Sequence, residues 1–226
     1  MILPLRAWRR LVIVSAGGIT LAALGALVVL NEPQPRRITG STMGAPYAII
    51  YRSGPPADVL QTKVEALLDA MDREPSNWRD DSWLHRFNQH QGSEPMPAPK
   101  HVFDVLRLAM NLAGRTDGAF DPTLGRLIEI WGFGPHRPTR LPPSAEDLAV
   151  ARTASGYQKL RLHEAPPRVS KNASGLALDV SGLAKGYAAD QLAELLRQHG
   201  VKHFMIELGG DMALRAMQER RRTGMC

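Results

Sequence analysis

Cysteine is almost missing from this 226-residue chain: Cys226, the last residue, is the single example. An internal disulfide framework and a Cys-based zinc site are therefore excluded. No cysteine follows the apolar stretch near the start, which rules out a lipoprotein anchor. His85, His90, His101, His136 and His163 show no metal-ligand spacing. His199 and His203 are four apart, but Gly200 separates their elements. There is no internal repeat and no G-x-x-x-x-G-K-[ST] phosphate loop. Net charge is also missing from the middle. Residues 1–37 hold five Arg and one Glu, and residues 212–226 hold four Arg and one Glu. The formal +6 of the whole chain leaves −1 for everything between. A basic protein whose charge lies only at its ends has little to offer a nucleic acid, and no nucleic-acid partner is expected.

What is present begins with an uncharged run, Leu11 to Leu30, preceded by Arg6, Arg9 and Arg10. Twenty helical residues span about 30 Å, the thickness of a bilayer core. Basic residues ahead of the run favour an inside N-terminus and an exported remainder. The run reads as a membrane-spanning signal anchor in preference to a cleaved signal peptide. Asn31–Arg37 reads as a polar linker, so the chain divides into 1–37 and a domain over 38–226. Apolar residues at 44% and charged residues at 22% suit a folded domain of that size.

Within the domain, Pro46–Arg52 has the pattern of a strand. Leu60, Val64, Leu67, Leu68 and Met71 fall on one helical face, as do Phe103, Leu106 and Met110 within Val102–Ala113. Leu124, Leu127, Ile128 and Trp131 suggest another helix. Ser144 caps a short one, with Asp147 three residues on. Residues 75–100 are polar, with short elements at most. Leu176–Val180 and His203–Leu208 read as strands and Ala188–His199 as a helix. Helices and strands mix without strict alternation, so the fold class is α+β, with mixed sheets and packed helices.

Four segments carry chemistry. Gly40-Ser41-Thr42-Met43-Gly44 offers a tight turn and a soft, polarizable side chain that packs on rings, or is a plain turn with a core Met. Ser76–Asn88 puts Trp78 in a polar stretch, where it stacks on a flat ligand or covers a small satellite core. Gly118-Ala119-Phe120-Asp121-Pro122-Thr123 offers backbone edges to a heterocycle, with Asp121 a candidate acceptor, a helix cap, or both. Asp179-Val-Ser-Gly182-Leu-Ala-Lys185-Gly-Tyr187 joins a strand to a helix, whose free N–H groups and Lys185 suit phosphate oxygens.

In order and content these segments, with Glu207–Asp211, resemble the ApbE family of FAD:protein FMN transferases. The runs GAFDPT…WGFG and GLAKGYAAD are its most specific features. The resemblance implies a T-fold-like α+β domain and an extracytoplasmic, Mg²⁺-dependent enzyme. Such an enzyme transfers FMN from FAD to a Thr or Ser hydroxyl of a partner protein and releases AMP. It implies FAD contacts at Met43, Trp78, Ala119, Phe120, Asp121, Asp179 and Lys185, and a metal-binding carbonyl at Gly182. It assigns no catalytic base. The acceptor it implies is a flavin-carrying protein, such as a subunit of a membrane electron-transfer complex. The location it implies, with the anchor, is the inner membrane, facing the periplasm. Ala45 stands where a Thr is usual after Met-Gly. After Asp211 the sequence shows no strand alternation and no further family feature. The expectation is a C-terminally truncated or frameshifted member with weak or no transferase activity. The alternative reading is a membrane-tethered flavin-binding module without catalysis.

Overall fold

The computed structural model describes residues 34–135 and 142–215. The expected membrane span at Leu11–Leu30 lies outside them. No helix among the described residues is long and apolar enough to cross a membrane.

The fold is α+β as expected, but its two sheets are antiparallel throughout and not mixed. The first has the order β1-β2-β6-β7, from Arg36–Thr42, Ala45–Arg52, His203–Leu208 and Asp211–Arg215. Its strands alternate. Tyr47, Ile49 and Tyr51 of β2 and Phe204, Ile206 and Leu208 of β6 point to one side and are buried. Two helices cover that side: α1 (Ala57–Arg73), through Leu60, Val64, Leu68 and Met71, and α6 (Ser181–Gln198), through Ala188, Ala189, Leu192 and Leu196. The second sheet is β3-β5-β4, from Met96–Pro97, Pro167–Lys171 and Leu160–Glu164. It shares a core with α2 (Trp83–Gln89) and α3 (Lys100–Arg115). Short helices α4 (Gly125–Ile130) and α5 (Ala145–Ala154) complete the order. Ser144 caps α5 by accepting from the Asp147 N–H at 3.0 Å, as its spacing suggests. Tyr187 on α6 packs against both cores. Burial, and after it the charge of Asp104, pushes its phenol well above the usual tyrosine range.

Several boundaries differ from the sequence reading. Arg36 and Arg37 belong to β1, not to a linker. Leu176–Val180 is not a ladder strand; one parallel bridge joins Ala177 to Leu124. The cause is local: the Asn88 side chain takes both backbone groups of Leu178, accepting from its N–H at 2.7 Å and donating to its carbonyl at 3.0 Å. Helix α6 begins at Ser181, not at Ala188. Asp211–Arg215, read as lacking strand character, forms β7 after the tight Gly209-Gly210 turn.

Candidate functional site: a cleft at the start of helix α6

Met43 and Gly44 are the two-residue connection between β1 and β2, with Thr42 opposite Ala45. Both have positive φ, +50° and +71°. Such a turn matches the twist of a hairpin. Glycine adopts it freely, whereas for Met43 it costs about 1–2 kcal/mol. The strained residue faces a cleft of about 550 Å³, lined also by Met71, Asp72, Pro75–Arg79, Ser181, Ala184 and Lys185. That volume lies within the range of small-ligand sites.

Trp78 is 68% exposed and lines the same cleft. A tryptophan covering a satellite core would be buried; this one offers a ring face to solvent. Its loop is held at both ends. The Trp78 N–H donates to Ser76 Oγ at 3.2 Å, and the Ser82 hydroxyl donates to the Ser76 carbonyl at 2.6 Å. Arg79 makes a two-pronged pair with Asp81 at 3.0 Å on each arm. The guanidinium holds the Asp81 carboxyl below the usual carboxylate range.

The opposite wall is the first turns of α6. Ser181 and Lys185 are one turn apart and both face the cleft. Gly209 lets the lysine lie there. A Cβ at that position would stand 2.8 Å from Ala45 Cβ and 3.1 Å from Lys185 Cδ. Free N–H groups and an ammonium at a helix start favour anionic oxygens. One N–H is already used: Asp179 Oδ1 accepts from Ser181 N at 2.8 Å. Asp179 stands just before the N-cap residue Val180 and lines a second cleft of about 380 Å³ with Asn88 and Gly125; Asn77 lines both clefts.

The 119–121 segment stands nearby through Gly182, where a Cβ would meet the Phe120 ring at 3.8 Å. Ala119 is exposed and its N–H donates to the Thr116 carbonyl at 3.0 Å. The Asp121 carboxylate is engaged with its own fold. Oδ1 accepts from Thr123 N at 2.8 Å and Thr123 Oγ1 at 2.6 Å, and Oδ2 from Tyr157 N at 3.0 Å. The helix-cap role expected of Asp121 is not found: α4 begins at Gly125 with Leu124 at its N-cap, and Asp121 instead closes a turn over Thr123. Its segment is tied to the Asp179 segment by the Asp179 N–H donating to the Pro122 carbonyl at 2.8 Å.

Met43, Trp78 and Lys185 therefore share one cleft, Asp179 lines its neighbour, and Phe120 abuts Gly182. The residues given no role by sequence are Asn77, Ser181 and the pair Asn88–Lys171. Lys171 is 1% exposed. Its ammonium donates to the carbonyls of Phe87 at 3.0 Å, Asn88 at 3.4 Å and Leu176 at 2.8 Å, and sits 5.0 Å from the Phe87 ring centre. It closes the end of α2 and fixes Asn88. Nothing in the sequence of its short, polar strand distinguishes it from a solvated lysine.

A hard divalent cation needs several oxygen ligands. Among the described residues no group of three or more His, Cys, Asp or Glu is placed to hold a metal. Gly182 lies in the first turn of α6 and offers one backbone oxygen. The described residues do not by themselves make up a Mg²⁺ site.

The site belongs to a two-sheet α+β domain, at a cleft where a strained hairpin turn, an exposed indole and a helix start converge. The ApbE family profile matches residues 43–223, so this chain belongs to the ApbE family. The match runs past Asp211, where the sequence reading had placed the end of the resemblance. The chain is 34% identical over 203 residues to the FAD:protein FMN transferase of Vibrio cholerae, covering 88% of this chain and 60% of that protein. It is 35% identical over 184 residues to the Klebsiella pneumoniae enzyme of the same name, covering 80% and 53%. Among solved structures, the apo flavinyl transferase ApbE of Pseudomonas stutzeri superposes with a TM-score of 0.77 at 35% identity. That match covers 82% of this chain and 62% of that one. The Thermotoga maritima ApbE protein superposes at 0.72 and 26%. The chain thus spans little more than half the length of the curated relatives it matches.

Proposed function

We propose that this chain binds FAD in the Met43–Trp78–Lys185 cleft and transfers its FMN part to a Thr or Ser hydroxyl of a partner protein, releasing AMP. The supporting observation is that three residues from distant stretches line one cleft at a helix start. The relatives' activity is the context. Trp78 and Met43 supply an aromatic and a polarizable face for the isoalloxazine. Lys185 and the start of α6 attract the phosphates. In the transfer, the acceptor oxygen forms a bond to the FMN phosphorus, and the bond from that phosphorus to the bridging oxygen breaks. AMP leaves with the electron pair, and the hydroxyl proton passes to solvent or a base. Positioning carries most of such a reaction.

Mg²⁺ remains in this reading as the ion the sequence resemblance implies, with the Gly182 carbonyl its one assigned ligand. No step above is routed through it. Attachment by Leu11–Leu30 to the inner membrane, a periplasmic domain and an acceptor in a membrane electron-transfer complex belong to the same proposal.

The test is a titration of FAD followed by flavin fluorescence, then incubation with a Thr-containing acceptor and in-gel detection of covalent flavin. Saturable FAD binding with slow labelling is expected. A chain that binds no FAD overturns the reading.

A further inference from the structure

Asn77 sits between Ser76 and Trp78 in the wall of the cleft, and hydrogen bonds from the core decide which end of its amide is free. They begin at Lys171, a buried cation that pairs with no carboxylate among the described residues. An ammonium has three donors and no acceptor. Here they go to the carbonyls of Phe87, Asn88 and Leu176, which ties the end of α2 to the segment leading into α6. A buried charge without a counter-charge is costly to fold. What it achieves is a fixed placement of Asn88.

The Asn88 amide then has one possible orientation. Its Oδ1 accepts from the Leu178 N–H at 2.7 Å, so Nδ2 is the end that donates. It donates to the Leu178 carbonyl at 3.0 Å and to Asn77 at 3.3 Å. An amide nitrogen does not accept, so the Asn77 atom it meets is Oδ1. The end of Asn77 left over is its NH₂, with two donors and no partner among the described residues. Water serves such donors in an open cleft. A ligand that displaces the water loses affinity unless it brings an acceptor of its own.

We propose that Asn77 is a further ligand-binding residue of the cleft, whose amide N–H donates to an acceptor oxygen of bound FAD on the Trp78 side. Asn88 and Lys171 are positioning residues that fix its polarity. The inference rests on FAD binding in this cleft.

FAD titrations of the full chain in mild detergent, at about 0.1 M and about 1 M NaCl, test this by flavin fluorescence. Asn77→Asp keeps the side-chain shape and the bond from Asn88 but replaces the free donor with an acceptor. It is expected to weaken FAD binding about tenfold relative to the native chain at both salts, with the melting temperature unchanged. If Asn77 served only to brace Asn88, no loss would follow, because the carboxylate still accepts from Asn88. Affinity within about twofold of native therefore overturns the proposal. So does a loss seen only at low salt, since charge repulsion is screened beyond about 3 Å at 1 M. Asn77→Ala is expected to lose about fivefold at both salts. Asn88→Ala, read on its folded fraction, is expected to weaken FAD binding several-fold in the native background and no further in the Asn77→Ala background. Lys171→Met takes its place if Asn88→Ala does not fold. Full additivity of the two sites overturns the positioning role. A native chain that binds no FAD overturns the reading of the cleft and this inference together. Native binding with indifferent Asn77 variants overturns this inference alone.

Discussion

Trp78 illustrates how a single side chain separates binding from folding. Its ring is mostly in solvent, so Trp78→Ala removes little packing. The expected result is an unchanged melting temperature with FAD affinity lowered about tenfold, the worth of one stacked ring. Trp78→Tyr keeps a flat face and is expected to retain most of the affinity. Asn88 is the opposite case. Its amide serves both backbone groups of Leu178, so Asn88→Ala leaves them unpaired and is expected to cost about 1–3 kcal/mol in urea unfolding. Lys171, which holds Asn88 in place, gives a pH signature. Burial holds its pKa at about 8, down from 10.5. Between those values the unfolded chain binds more protons than the folded one, so this residue makes stability rise with pH, by at most about 3 kcal/mol. Below pH 8 both states are protonated and its contribution is flat. Urea unfolding from pH 7 to 10 should show that rise in the native chain relative to Lys171→Met.

At the scale of elements, the Gly209-Gly210 turn links the first sheet to the cleft. Gly209→Ala would force a Cβ against Ala45 and the Lys185 stem at a φ of +57°. The expected outcome is a loss of about 1–3 kcal/mol in stability and weaker FAD binding, read by thermal melts and titration on the same sample. The elements most legible in sequence were those with apolar periodicity: all four buried residues of α1 were in its predicted stripe. Apolar periodicity placed the start of α6 too late, because Leu183 is the one large apolar residue in Ser181–Lys185; only the motif marked a helix start there. What holds that turn is the Asp179 carboxylate on the Ser181 N–H, together with Tyr187. The β4–β5 hairpin hid behind its Arg, His and Lys residues, one of which, Lys171, faces inward. β7 hid because its two large apolar residues, Met212 and Leu214, are exposed and only the small Ala213 packs against the core.

At the scale of the described domain, two cores, one under each sheet, meet at Tyr187 on α6, and the cleft opens where that helix starts. The parts of the site contributed by the turn, the indole and the helix were legible as motifs because glycine, a stranded aromatic and a helix-start lysine leave local marks. The link from Lys171 through Asn88 to Leu178 was not, since its partners lie more than eighty residues apart. The account rests on where the flavin sits. A crystal structure of the chain with FAD tests it most directly. The account predicts the isoalloxazine against Trp78 and Met43, with the pyrophosphate toward Lys185 and Ser181. A ring bound away from both Trp78 and the Met43–Gly44 turn would contradict it.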